Sequence, residues 1–356
     1  MEKVVVGMSG GVDSSVCAYL LKEEGYEVIG ATMQIWESTS CSVEREGACC
    51  GFSAINDARE VCDYLNIPHY VMNFKEEFKD KVTRPFIEEY LKGRTPNPCI
   101  LCNQYLKWGG FLAKARALGA DYIATGHYAG IIKLPNGRFT VKKSVTDKKD
   151  QTYVLYTLSQ DELSHTLMPV GRYDKDTIRE IARKIGLPVA DKKDSQDICF
   201  VENGSYADFI RANSDEPIKE GYFVTGKGER LKKHKGTINY TVGQRRGLDL
   251  ALGYPAYVKR IDVGSGDIEI ATDEELYKDK LFAVNLQYMG EEKFDEEAVY
   301  KAKIRYSQSS ADCSVKYVDK DNILVTFAEP VRAITPGQAV VLYKDDWIAG
   351  GGIITG

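Results

Sequence analysis

The chain has 356 residues, 43% hydrophobic and 28% charged, with a formal net charge of −5. This is ordinary for a soluble protein of two or three domains, and the acidic balance excludes general nucleic-acid affinity, which rests on neutralising phosphates, so any nucleic-acid site must be a local basic surface. Nine cysteines, an odd number scattered along a long chain, do not make a disulfide framework and point to reactive thiols or metal ligands. No apolar run approaches a membrane span, and residues 1–3 enter a strand without a signal-peptide pattern, so the expectation is a cytoplasmic protein with no membrane partner.

The first element carries the first chemistry. Val4, Val5 and Val6 end in Gly7-Met8-Ser9-Gly10-Gly11-Val12-Asp13-Ser14-Ser15, and Val16, Leu20 and Leu21 follow at helical spacing: strand, tight loop, helix. Adjacent glycines let backbone approach an anion, and the amides and dipole of the helix's first turn favour phosphate. The loop lacks both the Gly-Lys-Ser/Thr of the Walker motif and the spaced glycines of the dinucleotide fingerprint. It resembles instead the loop of ATP pyrophosphatases (PP-loop enzymes), which cleave ATP to AMP and pyrophosphate and adenylate a substrate oxygen. Residues 27–33 read as a second strand. An inserted polar segment at 36–52 carries Cys41, Cys49 and Cys50 without the histidine or second half of a zinc site, hence ordinary thiols. A helix at 57–65 and a strand at 67–74 continue the alternation, and a helix from Glu76 to Leu91 should kink at Pro85 and stop at Gly93.

The second chemical centre is Arg94-Thr95-Pro96-Asn97-Pro98-Cys99-Ile100-Leu101-Cys102-Asn103. Two prolines hold an extended approach and Cys-x-x-Cys opens a helix, whose N-terminus favours a thiolate at Cys102, as nucleophile or metal ligand. Residues 121–128 read as a strand running into a turn at Gly126 and His127, placed by the ligand rule for parallel sheets beside the first loop. Lys142, Lys143, Lys148 and Lys149 precede Asp150-Gln151. A helix over 175–185 is signalled by Asp174 as cap and Gly186 beyond its end. Asp194-Ser195-Gln196-Asp197-Ile198-Cys199-Phe200 suits a loop that presents one thiol.

Past Gly204 the alternation fades. Lys232, Lys233, Lys235, Arg245 and Arg246 make the most basic stretch, residues 257–261 and 267–271 read as a hairpin, and from Leu281 strand signals repeat to the end. The expected fold is therefore α/β: a doubly wound parallel sheet of the PP-loop ATP pyrophosphatase type over 1–203, a small basic central domain over 204–278, and a C-terminal all-β barrel over 279–356.

These motifs in this order resemble the bacterial tRNA-specific 2-thiouridylases, the MnmA family: the glycine loop, Thr95-Pro96-Asn97-Pro98, Leu101-Cys102-Asn103, Ala124-Thr125-Gly126-His127-Tyr128, Lys149-Asp150-Gln151, the Cys199 segment, Tyr240-Thr241-Val242-Gly243-Gln244-Arg245 and Pro336-Gly337-Gln338. The resemblance implies sulfur insertion at C2 of the wobble uridine of tRNA, using ATP and Mg²⁺, with sulfur from a cysteine desulfurase, a persulfide carrier or inorganic sulfide. It implies Gly7, Met8, Ser9, Gly10, Gly11, Val12, Asp13, Ser14, Met33 and Gly126 at the nucleotide, with Asp13 contributing through magnesium or loop hydrogen bonds. Cys102 matches the nucleophile and Cys199 the persulfide carrier. Asn97, Pro98 and Cys99 match the segment at the target base, and His127, Lys149, Asp150, Gln151, Arg305, Tyr306 and Gln338 match tRNA contacts.

Cys99 stands where many relatives carry aspartate. With Cys102 and Cys199 it could ligate a [4Fe–4S] cluster with one open iron, on which sulfide is held. The rival is a persulfide on Cys199, released through a Cys102–Cys199 disulfide. Cys99 tips the expectation towards the cluster, since the persulfide route gives it no task. Two alternatives are another PP-loop enzyme, such as an amide-forming synthetase, and a catalytically inactive tRNA- or nucleotide-binding protein.

Overall fold

The computed structural model describes residues 1–36, 52–193, 198–201 and 205–355. Cys41, Cys49 and Cys50, and positions 194–197 before Cys199, lie outside the described residues. The chain opens with the strands β1 (Lys3–Gly7), β2 (Glu27–Gln34), β3 (His69–Asn73) and β4 (Tyr122–Ala124), passes through a hairpin of β5 (Ala129–Lys133) and β6 (Phe139–Lys143), and adds the short β7 (Thr166–Leu167). β1, β2, β3, β4 and β7 form one parallel sheet in the order β3-β2-β1-β4-β7. Val4, Val5 and Val6 are fully buried, as a strand covered on both faces requires. On one face, helices α1 (Val12–Glu23) and α2 (Phe52–Tyr64) pack Val16, Cys17, Leu21, Val61 and Cys62 into a core; on the other lie Trp108, Phe111 and Leu112. The expected doubly wound sheet is present.

Pro85 acts as its missing N–H dictates. The helical run from Lys75 changes to a π-helical turn over Lys79–Thr83, in which the Arg84 amide reaches back to the Lys79 carbonyl, before Arg84–Leu91 resumes as α-helix. The helix Lys175–Lys184 is capped as read, with the Thr177 amide donating to Asp174 at 2.8 Å and Gly186 at φ +71° after its end.

The central region holds β8 (Tyr222–Val224), β9 (Arg230–Lys233), β10 (Tyr257–Ile261) and β11 (Ile268–Ala271) in the order β10-β11-β8-β9 around Phe223, Val258 and Ile268. β10 and β11 form the expected antiparallel hairpin. The last strands, β12 (Tyr277–Tyr288), β13 (Tyr300–Lys303), β14 (Ala311–Tyr317), β15 (Ile323–Arg332), β16 (Ala339–Lys344) and β17 (Trp347–Ile354), run in the order β12-β15-β14-β13-β16-β17. Pairing of β17 with β12 closes them into the expected barrel.

One connection was not read from the sequence. The β5–β6 hairpin belongs to the C-terminal sheet, where Trp347 pairs with Lys142, the Lys143 amide donates to Asp346 O at 2.7 Å, and the Thr140 hydroxyl donates to Ile348 O at 2.7 Å. The segment between β4 and β7 of the parallel sheet is thus carried into the sheet of the barrel.

Candidate active site

The glycine loop leaves β1 between the carboxyl ends of its two neighbours, with Met33 near the end of β2 on one side and Gly126 just after β4 on the other. That is the ligand crevice of an open parallel sheet. Gly10 takes φ +67°, and a Cβ there would lie 2.5 Å from Ala54 O, so the turn needs glycine for both conformation and space. Gly11 is the N-cap of α1 and has no side chain to bond the first-turn amides, which leaves them to an anion. The Ser9 amide donates to Ser14 Oγ at 3.2 Å, and the Ser14 and Ser15 hydroxyls reach Gly11 O at 3.1 and 2.9 Å. Gly126 presses on the same helix end: a Cβ there would stand 2.7 Å from Ser14 N and 2.8 Å from the Asp13 carbonyl carbon.

Asp13 lies at the first turn of α1. Its Oδ1 accepts the Tyr128 hydroxyl at 2.6 Å, and both oxygens accept Lys175 Nζ, at 2.8 and 2.9 Å. Lys192 Nζ donates to Gly10 O at 3.0 Å and pairs with Asp57. Neither lysine was singled out from the sequence; the signal at Lys175 was only its place at the start of a well-capped helix.

The second centre begins at Asn97, whose side chain caps the helical turn Pro98–Leu101 by accepting the Cys99 amide at 3.1 Å. Pro98 and Ile100 are buried, Cys99 is exposed and Cys102 is half-buried. Cys102 opens a π-helical stretch, Cys102–Phe111, a conformation frequent at functional sites. The next residue, Asn103, donates to Val154 O at 2.8 Å and so ties this helix to the turn after Gln151, while its Oδ1 is buried without a hydrogen-bond partner among the described residues. Cys102 and Cys199 border one core cluster, in which Phe200 meets Phe78, Phe86 and Phe209 edge-on or tilted at 5.2–5.5 Å.

The approach to Asn97 is fixed by all three regions of the chain. The Thr95 amide donates to Pro336 O at 2.9 Å, its carbonyl accepts Gln338 Nε2 at 2.7 Å, and its hydroxyl donates to Thr241 Oγ1 at 3.2 Å. Gly337, at φ +90°, lies so close that a Cβ would be 2.9 Å from Arg94 Cβ. Sequence-distant motifs thus meet at one residue.

The remaining expected contacts divide into exposed and internal ones. Lys149 and Gln151 are half-buried and Tyr306 is exposed, with Lys303 Nζ 5.6 Å from the Tyr306 ring. Gln151 Oε1 accepts the Tyr128 amide at 2.8 Å, linking the two centres. Asp150 is buried, accepting the Thr152 hydroxyl at 2.6 Å, and burial raises its pKa against the pull of that bond and of Lys303. His127 is buried beside Trp108, with Nδ1 2.8 Å from Thr125 Oγ1 and Nε2 3.3 Å from Lys107 Nζ. Burial first, then the Lys107 charge, hold its pKa well below the ordinary value, so the ring is neutral. With Lys107 as donor to Nε2, the proton is on Nδ1 and donated to Thr125. Arg305 spends one nitrogen on Val242 O at 2.6 Å, Ala333 O at 3.1 Å and Thr335 Oγ1, joining the central region to the barrel.

Among the described residues no group of three or more His, Cys, Asp or Glu side chains is gathered to hold a metal ion. Cys99, Cys102 and Cys199 therefore do not form a preassembled cluster site. Mg²⁺ makes a different demand, one or two carboxylates plus substrate phosphates, and Asp13 at the phosphate loop fits it. Among the described residues no helix is long and apolar enough to cross a membrane.

A phosphate loop at the end of a central parallel strand, with a cysteine helix whose approach is held by two β domains, defines a PP-loop ATP-using enzyme with appended barrels. The family models that match are described as tRNA methyl transferase HUP domain over residues 2–203, tRNA methyl transferase PRC-barrel domain over 208–272, and Aminomethyltransferase beta-barrel domain over 278–354. The tRNA-specific 2-thiouridylase MnmA of Lachnoclostridium phytofermentans is 55% identical over 355 residues, 99% of each chain, and that of Clostridioides difficile 50% identical over 354 residues, 99% of this chain and 98% of the other. A solved 4-thiouridine synthetase in an RNA complex with bound ATP is 17% identical, covers 59% of this chain and 50% of its own, and has a TM-score of 0.38. The chain belongs to the MnmA family of tRNA-specific 2-thiouridylases.

Proposed function

We propose that this protein is a tRNA 2-thiouridylase, located in the cytoplasm, which replaces O2 of the wobble uridine by sulfur. The observation that supports this most is the match to relatives named for that reaction across 99% of both chains. O2 of uridine is a poor leaving group. In the first step it attacks the α-phosphorus of ATP, and pyrophosphate leaves. The first-turn amides of α1, with Ser9 and Ser14, hold the phosphates, Met33 and Gly126 flank the adenosine, and Asp13 would hold Mg²⁺, which would supply neutralisation of phosphate charge.

In the second step the terminal sulfur of a persulfide on Cys199 attacks C2 and AMP departs. Cys102 thiolate then attacks the Cys199 sulfur, releasing 2-thiouridine and leaving a Cys102–Cys199 disulfide. The persulfide sulfur gains two electrons, the two cysteines lose them, and a thiol reductant resets the pair. A cysteine desulfurase or persulfide carrier supplies the sulfur. No step is routed through an iron–sulfur cluster, because the described residues do not gather the three cysteines as a metal site.

The tRNA enters as a flipped base at Asn97, Pro98 and Cys99, with Lys149, Gln151, Tyr306 and Gln338 around it. His127, Asp150 and Arg305 act from inside, positioning the loops that carry those contacts. The exposed edge strand β9, with Arg230, Lys232 and Lys233, offers the local basic surface that an acidic protein needs to hold RNA. Mass spectrometry of wobble nucleosides from cells lacking the protein tests this: 2-thiouridine should disappear, and an unchanged level sinks the assignment. Purified protein should release pyrophosphate from ATP when the cognate tRNA is present; turnover onto a small amide without tRNA would favour a synthetase instead.

A further inference from the structure

The phosphate loop has no cation of its own. From Gly7 to Ser15 the only ionisable side chain is Asp13, which is anionic, while the helix end supplies about half a positive charge. A triphosphate bound there needs cationic donors from elsewhere in the fold. Among the described residues two lysines reach the loop. Lys192 is engaged with the Gly10 carbonyl and Asp57, so it pins the loop's main chain to α2. Lys175 is different. It starts the helix Lys175–Lys184, its side chain is only 12% exposed, and its ammonium lies against both oxygens of Asp13 at the first turn of α1, beside the amides that face an anion.

We propose that Lys175 is a phosphate-binding residue for ATP, the counterpart of the lysine that a Walker loop carries within its own motif. In the structure it sits on Asp13. When ATP arrives, the ammonium turns to phosphate oxygens. Asp13 is not stranded by that exchange, because the Tyr128 hydroxyl still donates to Oδ1 at 2.6 Å and the other oxygen becomes available to Mg²⁺. The Tyr128 ring, 5.9 Å from Nζ, gives the ammonium a face to pass over.

The inference rests on the proposed use of ATP, and nucleotide binding to the full chain tests it. Affinities for adenosine, AMP and ATP with Mg²⁺ are measured by calorimetry for the unaltered protein, Lys175→Met, Lys175→Gln and Lys175→Arg. ATP should bind Lys175→Met about 10- to 100-fold more weakly, the worth of one charge-assisted hydrogen bond, with adenosine changed less than about threefold. Lys175→Arg should recover part of the loss. Equal weakening of adenosine and ATP, or no weakening, overturns the inference; because Asp13 itself stands at the phosphates, Lys175→Met is also compared in an Asp13→Asn background, where a lysine acting only through Asp13 would leave the ATP-to-adenosine ratio unmoved, which likewise overturns it. Lys175→Gln keeps a donor to Asp13 and carries the same comparison should Lys175→Met fail to fold. If the unaltered protein releases no pyrophosphate from ATP with tRNA, the functional reading itself fails; if it does and the ATP-to-adenosine ratio is unmoved in the variants, only the role of Lys175 fails.

Discussion

Gln338, on the loop before β16, donates its side-chain amide to the carbonyl of Thr95 at 2.7 Å, across 243 positions of sequence. Thr95 lies two residues before the cap of the cysteine helix, so the barrel fixes where Cys99 and Cys102 stand. Gln338→Ala should lower the rate of 2-thiouridine formation about tenfold or more, because misplacement by an ångström at a reacting centre costs up to about a hundredfold. ATP affinity should be unchanged, as the phosphate loop is held by other contacts. Gly337→Val adds a side chain where even a Cβ meets Arg94 Cβ at 2.9 Å and where φ is +90°; it should lower stability by about 1–3 kcal/mol in urea unfolding and produce the same rate defect.

Gly126 has the converse role. A Cβ added there would stand 2.7 Å from the Ser14 amide nitrogen, and main chain of a buried helix end cannot move aside cheaply. Gly126→Ala should therefore weaken ATP by at least about tenfold while tRNA binding, measured by filter retention, is kept.

The Arg305 guanidinium is largely buried, and burial together with the neighbouring Arg332 charge lowers its pKa, a sign of how fully it is withdrawn from water. Its one nitrogen serves Val242 O, Ala333 O and Thr335 Oγ1, and Ala333 itself is held at φ +55°. A lysine ammonium ends one bond short of that nitrogen and cannot reach all three oxygens. Arg305→Lys should cost about 2–3 kcal/mol and split denaturant unfolding into two transitions, as the central region parts from the barrel.

What was legible in the sequence was local. Val4 to Ser15, the Asp174 cap and the β10–β11 hairpin each announce themselves within about fifteen residues, because strand, turn and cap signals act over that range. Partners across the chain are not announced. Nothing near Phe139 says that its strand pairs with the C-terminal sheet. The start of β12 is hidden because residues 277–280 are exposed and mostly charged, so the apolar alternation begins only at Leu281. β7 is two residues long, too short for any period. At the site, the motifs containing Asp13, Cys102 and Gly126 could be read, but the lysine on Asp13 comes from 162 positions away. The position of His127 beyond β4 was read from the sheet rule; that Trp108 covers it depends on packing alone.

His127 should make stability fall in mild acid. Its folded pKa is lowered well below 6.5, so between that value and about 6.5 the unfolded chain takes up a proton that the folded one refuses. The contribution is complete above about pH 6.5 and is lost as pH falls, at up to about 1.4 kcal/mol per pH unit. His69 and His234, also lowered chiefly by burial, add to the slope. His127→Gln, which keeps polar groups but cannot titrate, should reduce the slope of unfolding free energy against pH between 5 and 6.5 by the share of one histidine. An unaltered slope would mean that the ring takes up its proton over the same pH range in the folded as in the unfolded chain.

Cys99 separates the two sulfur chemistries. It is exposed on the first turn of its helix, with its amide capped by Asn97, while Cys102 and Cys199 both border the aromatic core. In the persulfide route Cys102 and Cys199 are each consumed in every turnover, so Cys102→Ser and Cys199→Ser should both abolish 2-thiouridine formation. Cys99→Ser removes no electron carrier, and should retain activity within about tenfold, the loss coming from altered contact with the base. A cluster held by three thiolates makes the opposite demand, because losing any one ligand removes the iron, so all three variants would be equally inactive. Assays run beside iron and sulfide analysis of anaerobically purified protein decide between them. Iron-free protein that thiolates tRNA from a persulfide donor, with Cys99→Ser still active, is the expected result; about four irons per chain and an inactive Cys99→Ser would replace the persulfide on Cys199 by sulfide on an open iron.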